Sequence, residues 1–104
     1  NMDSPDLAFR TSQEELEHYF NQSDSQSVEQ LLNSITDSGL CNLKTLCVKW
    51  VRNYKGGDQV HCVERLLNKL KGTKYEGEID EDGITILMIA ASKGHKDLVE
   101  VILQ

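Results

Sequence analysis

An all-α fold of stacked helical hairpins, with about six helices, is what this sequence predicts. Three observations carry that prediction. Apolar residues recur at i, i+3 and i+4 through most of the chain. Glycines or Ser/Asp/Asn-rich stretches divide these stripes from one another. One apolar pentad returns three times at nearly constant spacing. At 104 residues the chain has the length of about one small domain, and its 38% hydrophobic content with 6% aromatic suits a modest aliphatic core.

The first helix is expected near Thr11, where Thr11-Ser12-Gln13-Glu14 has the form of a capping box, with residues 1–10 as a flexible lead. Leu16, Tyr19 and Phe20 then share one face. Asn21 to Ser27 is a polar break that can cap a second helix, whose stripe is Val28, Leu31, Leu32 and Ile35 and whose stop is Ser38-Gly39. A third helix runs from about Asn42 to Tyr54, with Leu43, Leu46, Cys47, Trp50, Val51 and Tyr54 on one face. Gly56-Gly57 ends it, and Asp58 is a natural cap for a fourth, carrying Val60, Val63, Leu66, Leu67 and Leu70 and stopped by Gly72. Residues 73–83 read as a polar turn. Thr85 to Ser92 is a fifth helix; Gly94 separates it from a last one running to Gln104. The run Ile84–Ile89 has β propensity, but it leads directly into Ala90-Ala91-Ser92-Lys93-Gly94, which favours a short helix.

The repeated pentads are Val28-Glu29-Gln30-Leu31-Leu32, Val63-Glu64-Arg65-Leu66-Leu67 and Val99-Glu100-Val101-Ile102-Leu103, spaced 35 and 36 residues apart. Asp24, Asp58 and His95 stand four or five residues before the shared valine. A period near 35 marks helix-pair repeats, in which each hairpin cannot bury its apolar face alone and stacking supplies the continuous core.

The segment from Asp80 to Leu103 resembles an ankyrin repeat. It carries the Asp and Asp82-Gly83 turn, Thr85, Leu87, the Ala90-Ala91 pair, Gly94-His95 between the helices and a Val-x-x-Ile-Leu ending. Ile86 stands where the family has proline, and Met88 where it has a histidine that ties neighbouring repeats together. The resemblance implies residues 76–104 as one repeat, truncated at its end within a longer protein, and residues 11–75 as degenerate repeats or a helical cap. It implies non-catalytic recognition of a protein or peptide partner, with Glu81, Asp82, Ile84, Met88, Ser92 and Lys93 as the contact surface. The apolar face of Leu98 and Ile102 is expected to be exposed or paired with a second copy.

The net charge of −6 conceals three blocks. Residues 1–40 carry Arg10 against eight carboxylates, a net of −7. Residues 41–75 carry eight Lys or Arg against Asp58 and Glu64, a net of +6, and residues 76–104 return to −5. The acidic turn of Glu76, Glu78, Asp80, Glu81 and Asp82 favours a basic partner by Coulomb attraction. The basic centre admits nucleic acid as a weaker candidate, and equally admits charge complementarity between neighbouring segments. Self-association into a homodimer is the main alternative function.

The chemistry-bearing residues give no catalytic pattern. Cys41, Cys47 and Cys62 contain no Cys-x-x-Cys pair, and Cys47 and Cys62 lie on or beside apolar stripes, so no metal and no cofactor is expected. His18, His61 and His95 accompany no nucleophile motif, and the glycine pairs lack the Lys-Ser/Thr of a phosphate loop, so no enzyme is expected. The opening Asn1–Asp6 lacks a secretory signature, no stretch of about 18 apolar residues exists, and the cysteine count is odd. An intracellular setting, cytoplasmic or nuclear, is the expectation, with no membrane partner.

Overall fold

The structure, a computed structural model, describes residues 5–76 and 84–104, with the side chains of residues 5–11 left aside. Among the described residues it is all-helical: α1 (Pro5–Asn21), α2 (Ser25–Asn33), α3 (Leu40–Arg52), α4 (Gln59–Leu70), α5 (Ile86–Ser92) and α6 (Lys96–Leu103). These form three antiparallel pairs, α1/α2, α3/α4 and α5/α6. The pairs stack with α3 against α5 in one row and α2, α4 and α6 in the other. The stacking of hairpins expected from the pentad spacing is therefore what the chain adopts.

The boundaries differ from the sequence reading in three places. Helix α1 starts at Pro5, not near Thr11, so Thr11–Glu14 lie inside the helix and residues 5–10 of the expected flexible lead are helical. Proline suits a first helical turn, since its missing N–H would have no partner there. Ser38-Gly39 does not terminate α2, which already ends at Asn33. Instead Asp37–Gly39 forms a short 3-10 turn that leads straight into α3. Tyr54 lies two residues past the end of α3, yet it is buried as the helical stripe requires.

Caps explain where the helices begin. Asp24 accepts from the Ser27 backbone N–H at 3.1 Å and from its hydroxyl at 2.7 Å, fixing the start of α2. Those two bonds hold the Asp24 carboxyl below the usual range. Thr85 does the same for α5 by accepting from the Met88 N–H at 3.1 Å. Asp58 and His95 occupy the cap positions of α4 and α6, but neither side chain makes a capping bond. Gly94, at φ +74°, takes the left-handed conformation that lets the chain reverse between α5 and α6.

One apolar core runs through all three pairs. Leu16 and Phe20 of α1, Val28 and Leu32 of α2, six residues of α3 from Leu40 to Val51, Cys62, Val63, Leu66 and Leu70 of α4, Ile89 and Ala90 of α5 and Leu98 of α6 are all buried in it. Trp50 is 1% exposed and stacks on Phe20, with centroids 4.5 Å apart and planes 7° from parallel. The buried placement expected of Trp50, Tyr54, Cys47 and Cys62 is observed. Leu98 corrects the expectation of an exposed α6 face: it is fully buried, because that side of α6 packs on α4 and α5. Ile102 is half-buried against the core, and the exposed apolar residue of α6 is Leu103, at 66%.

Candidate functional site

Helix α5 is seven residues long, too short to persist alone, and is held by its Thr85 cap and by the burial of Ile89 and Ala90. Those two residues fix its rotation. With them inward, Met88 is turned outward and is 54% exposed. Ser92 lies one turn further on and is exposed beside Ala91, so Met88, Ala91 and Ser92 make a short strip at i, i+3 and i+4. The Ser92 hydroxyl donates to the Ile89 carbonyl at 3.0 Å, leaving it able to accept from a ligand.

Lys93 is exposed in the turn that closes α5, where its backbone N–H bonds the Ile89 carbonyl at 3.1 Å. Ile84 precedes the Thr85 cap and is half-buried against the core, so it supports α5 as well as bordering its surface. Glu81 and Asp82, and with them Glu78 and Asp80 of the acidic turn, lie outside the described residues. Of the six expected contact residues, Met88 and Ser92 thus share one helical face and Lys93 adjoins it.

The pairs are joined by polar contacts that follow the three charge blocks. Lys49 of α3 pairs with Glu17 of α1, and Arg65 of α4 lies 3.9 Å from Glu29 of α2. Both contacts join the basic middle pair to the acidic first pair. Toward the third pair, the Tyr54 hydroxyl donates to Asp97 at 2.5 Å, and the Tyr54 ring meets His95 edge-on with centroids 4.9 Å apart. Burial, and then the hydrogen bond and charge of Asp97, push the Tyr54 phenol above its ordinary range. This tie joins α6 to the end of α3, at a different place from the histidine position that Met88 occupies. Sequence reading missed it, because Tyr54 and Asp97 are 43 residues apart and neither belongs to a motif.

Sequence reading also missed a groove of ≈ 350 Å³ between the second and third pairs, walled by Val48, Leu67, Leu70, Tyr75, Ile86 and Ile102. Its wall comes from four helices and a turn, so no local pattern announces it. Tyr75 is set there by Thr73, whose hydroxyl donates to the Leu70 carbonyl at 2.6 Å and accepts from the Tyr75 N–H at 3.2 Å.

Compared with known proteins, residues 82–104 match the family model of the ankyrin repeat. No curated protein and no solved structure matches the chain. Among the described residues, no helix is long and apolar enough to cross a membrane. The match spans the hairpin of α5 and α6, with its Thr85 cap, buried Ala90 and Gly94 turn, so this last helical pair is similar to an ankyrin repeat, and ankyrin repeats are generally modules of protein–protein interaction.

Proposed function

We propose that the chain is a non-catalytic recognition module of a larger scaffold or adaptor, binding a partner protein or peptide through the α5 surface and the acidic turn before it. The observation that carries this reading is the outward display of Met88 on the inner helix of an ankyrin-like repeat. A solvated thioether is an adaptable apolar anchor, and Ser92 and Lys93 supply polar groups beside it. Glu81 and Asp82 add negative charge, so a basic peptide is the favoured ligand. In this reading residues 76–104 are the recognition repeat, and residues 11–75 are the helical stack that holds it.

A polylysine peptide titrated against the chain tests the proposal. Met88→Glu should leave the far-ultraviolet circular dichroism unchanged. The double change Glu81→Lys with Asp82→Lys should weaken binding at least about tenfold, the size expected for reversing charges that face a charged ligand. Unchanged affinity in that double variant would remove the acidic turn from the interface.

Self-association is a second reading, favoured by Leu103, an exposed leucine at the end of α6. Light scattering coupled to size exclusion over a wide concentration range decides it. A dimer that Leu103→Glu dissolves supports this reading, and a monomer at every concentration ends it.

A further inference from the structure

The chain has three tyrosines, and the fold treats their hydroxyls differently. Tyr54 is buried, and its hydroxyl is committed to Asp97. Tyr19 and Tyr75 are half-buried, and neither hydroxyl is shut off from solvent as an unmatched polar atom.

Backbone separates these two. Tyr19 belongs to α1, and its carbonyl accepts from the N–H groups of Gln22 at 3.2 Å and Asp24 at 2.9 Å. Tyr75 belongs to no helix: Gly72, at φ +80°, turns the chain away from the end of α4. Local bonds hold this turn. The Thr73 hydroxyl ties Leu70 to Tyr75, as described above. The Glu76 N–H donates to the Thr73 carbonyl at 3.2 Å, and the Gly72 N–H to the Glu76 carboxylate at 3.1 Å. A turn held by a few bonds near solvent opens locally far more readily than a helix packed on a core.

The Tyr75 ring fills part of the groove wall between the second and third pairs. A phenylalanine would fill it as well, so packing gives the hydroxyl no task. Its neighbours are charged. Lys71 and Lys74 are exposed on the same turn, and Lys74 Nζ lies 5.2 Å from the Tyr75 ring centroid. Glu64 and Glu76 line the groove too, with Glu76 engaged by Gly72. Beyond Glu76 the sequence continues through Glu78, Asp80, Glu81 and Asp82.

We propose that Tyr75 is a phosphorylation site, modified by a tyrosine kinase that recognises carboxylates following its target. The phenol oxygen bonds to the γ-phosphorus of a nucleoside triphosphate, and the bond from that phosphorus to the bridging oxygen breaks. Nucleoside diphosphate departs, and the phenolic proton passes to a carboxylate of the kinase. The product carries about −1.5 to −2 charges at pH 7, for which Lys71 and Lys74 are charge-assisted partners. A basic substrate groove on the kinase is drawn to the acidic flank by Coulomb attraction. None of this rests on the α5 reading, because a kinase reads the flank whether or not the turn binds a peptide.

The test incubates the full chain with adenosine triphosphate and a tyrosine kinase that modifies a glutamate–tyrosine copolymer, and maps the product by mass spectrometry. Phosphate should appear at Tyr75 before Tyr19 or Tyr54, and Tyr75→Phe should abolish that early incorporation. Thr73→Ala removes both hydroxyl bonds of the turn and should speed the modification about fivefold, the factor that one lost hydrogen bond is worth. Glu78→Lys with Asp80→Lys should slow it at least about tenfold.

A kinase active on the copolymer that leaves Tyr75 unmodified would overturn the proposal. Equal incorporation at Tyr19 would do the same, since the turn would then confer no preference. A rate unchanged by the double charge reversal would also sink it, because the flank would then carry no recognition.

Discussion

Tyr54 lies outside any helix, yet it joins two helical pairs through one hydroxyl donated to Asp97. Asp97 can be rehydrated when that donor is lost, so Tyr54→Phe is expected to cost about 1 kcal/mol, measured by urea unfolding. The same residue contributes to alkaline sensitivity together with two thiols. Burial pushes Cys47 up to about 12 and, with the charge of Asp24 adding to it, Cys62 up to about 11. In the unfolded chain these groups ionise near their ordinary values, about 8.5 for the thiols and about 10 for the phenol. Above pH ~8.5 the unfolded state therefore holds fewer protons than the folded one, and stability falls as pH rises. The urea midpoint should decline progressively between about pH 9 and about pH 11. Cys62→Ala should flatten the early part of that decline; an unchanged slope would mean that Cys62 is not protected from ionisation.

At the scale of single elements, α5 is the most dependent on its context. Seven residues cannot nucleate a stable helix alone, so its cap and the burial of Ile89 and Ala90 decide whether it forms. Thr85→Ala should destabilise the protein by about 1 kcal/mol, and Thr85→Ser should restore most of that, since a serine hydroxyl can accept from the Met88 N–H as well. Calorimetric melting of both variants checks the pair. Gly94→Ala puts a Cβ on a residue at φ +74°, although no atom lies near enough to clash. Its expected cost is about 1 kcal/mol from backbone strain alone, read from the same melts.

Across the whole molecule, one core continues from Leu16 in α1 to Leu98 in α6. A core shared by all three pairs gives no pair an independent folding unit, so unfolding should be a single cooperative event. Trp50 fluorescence reports the first two pairs and circular dichroism reports all helices. Their urea transitions should coincide, and an earlier loss of ellipticity would show the third pair melting separately. The ion pairs between the first two layers lie at the surface, where each is worth about 0–1 kcal/mol. Raising salt to about 1 M should therefore shift stability by no more than about 1–2 kcal/mol in total.

Apolar spacing and punctuation determined the helices, their pairing and most of the core, because a stripe at i, i+3 and i+4 can be buried in only one way. Trp50, Leu66 and Cys62 were legible as core for that reason, and the last pair was legible as ankyrin-like because its turn, cap and alanine positions are local. What the stack alone decided involves residues brought together from distant segments. The fate of Leu98 depended on where α4 lies, the Tyr54–Asp97 tie on the meeting of α3's end with α6, and the apolar groove on four helices and a turn coming together. Periodicity reports which face of a helix is apolar, whereas the neighbour that covers that face, and the polar groups left at its edges, are fixed only by packing.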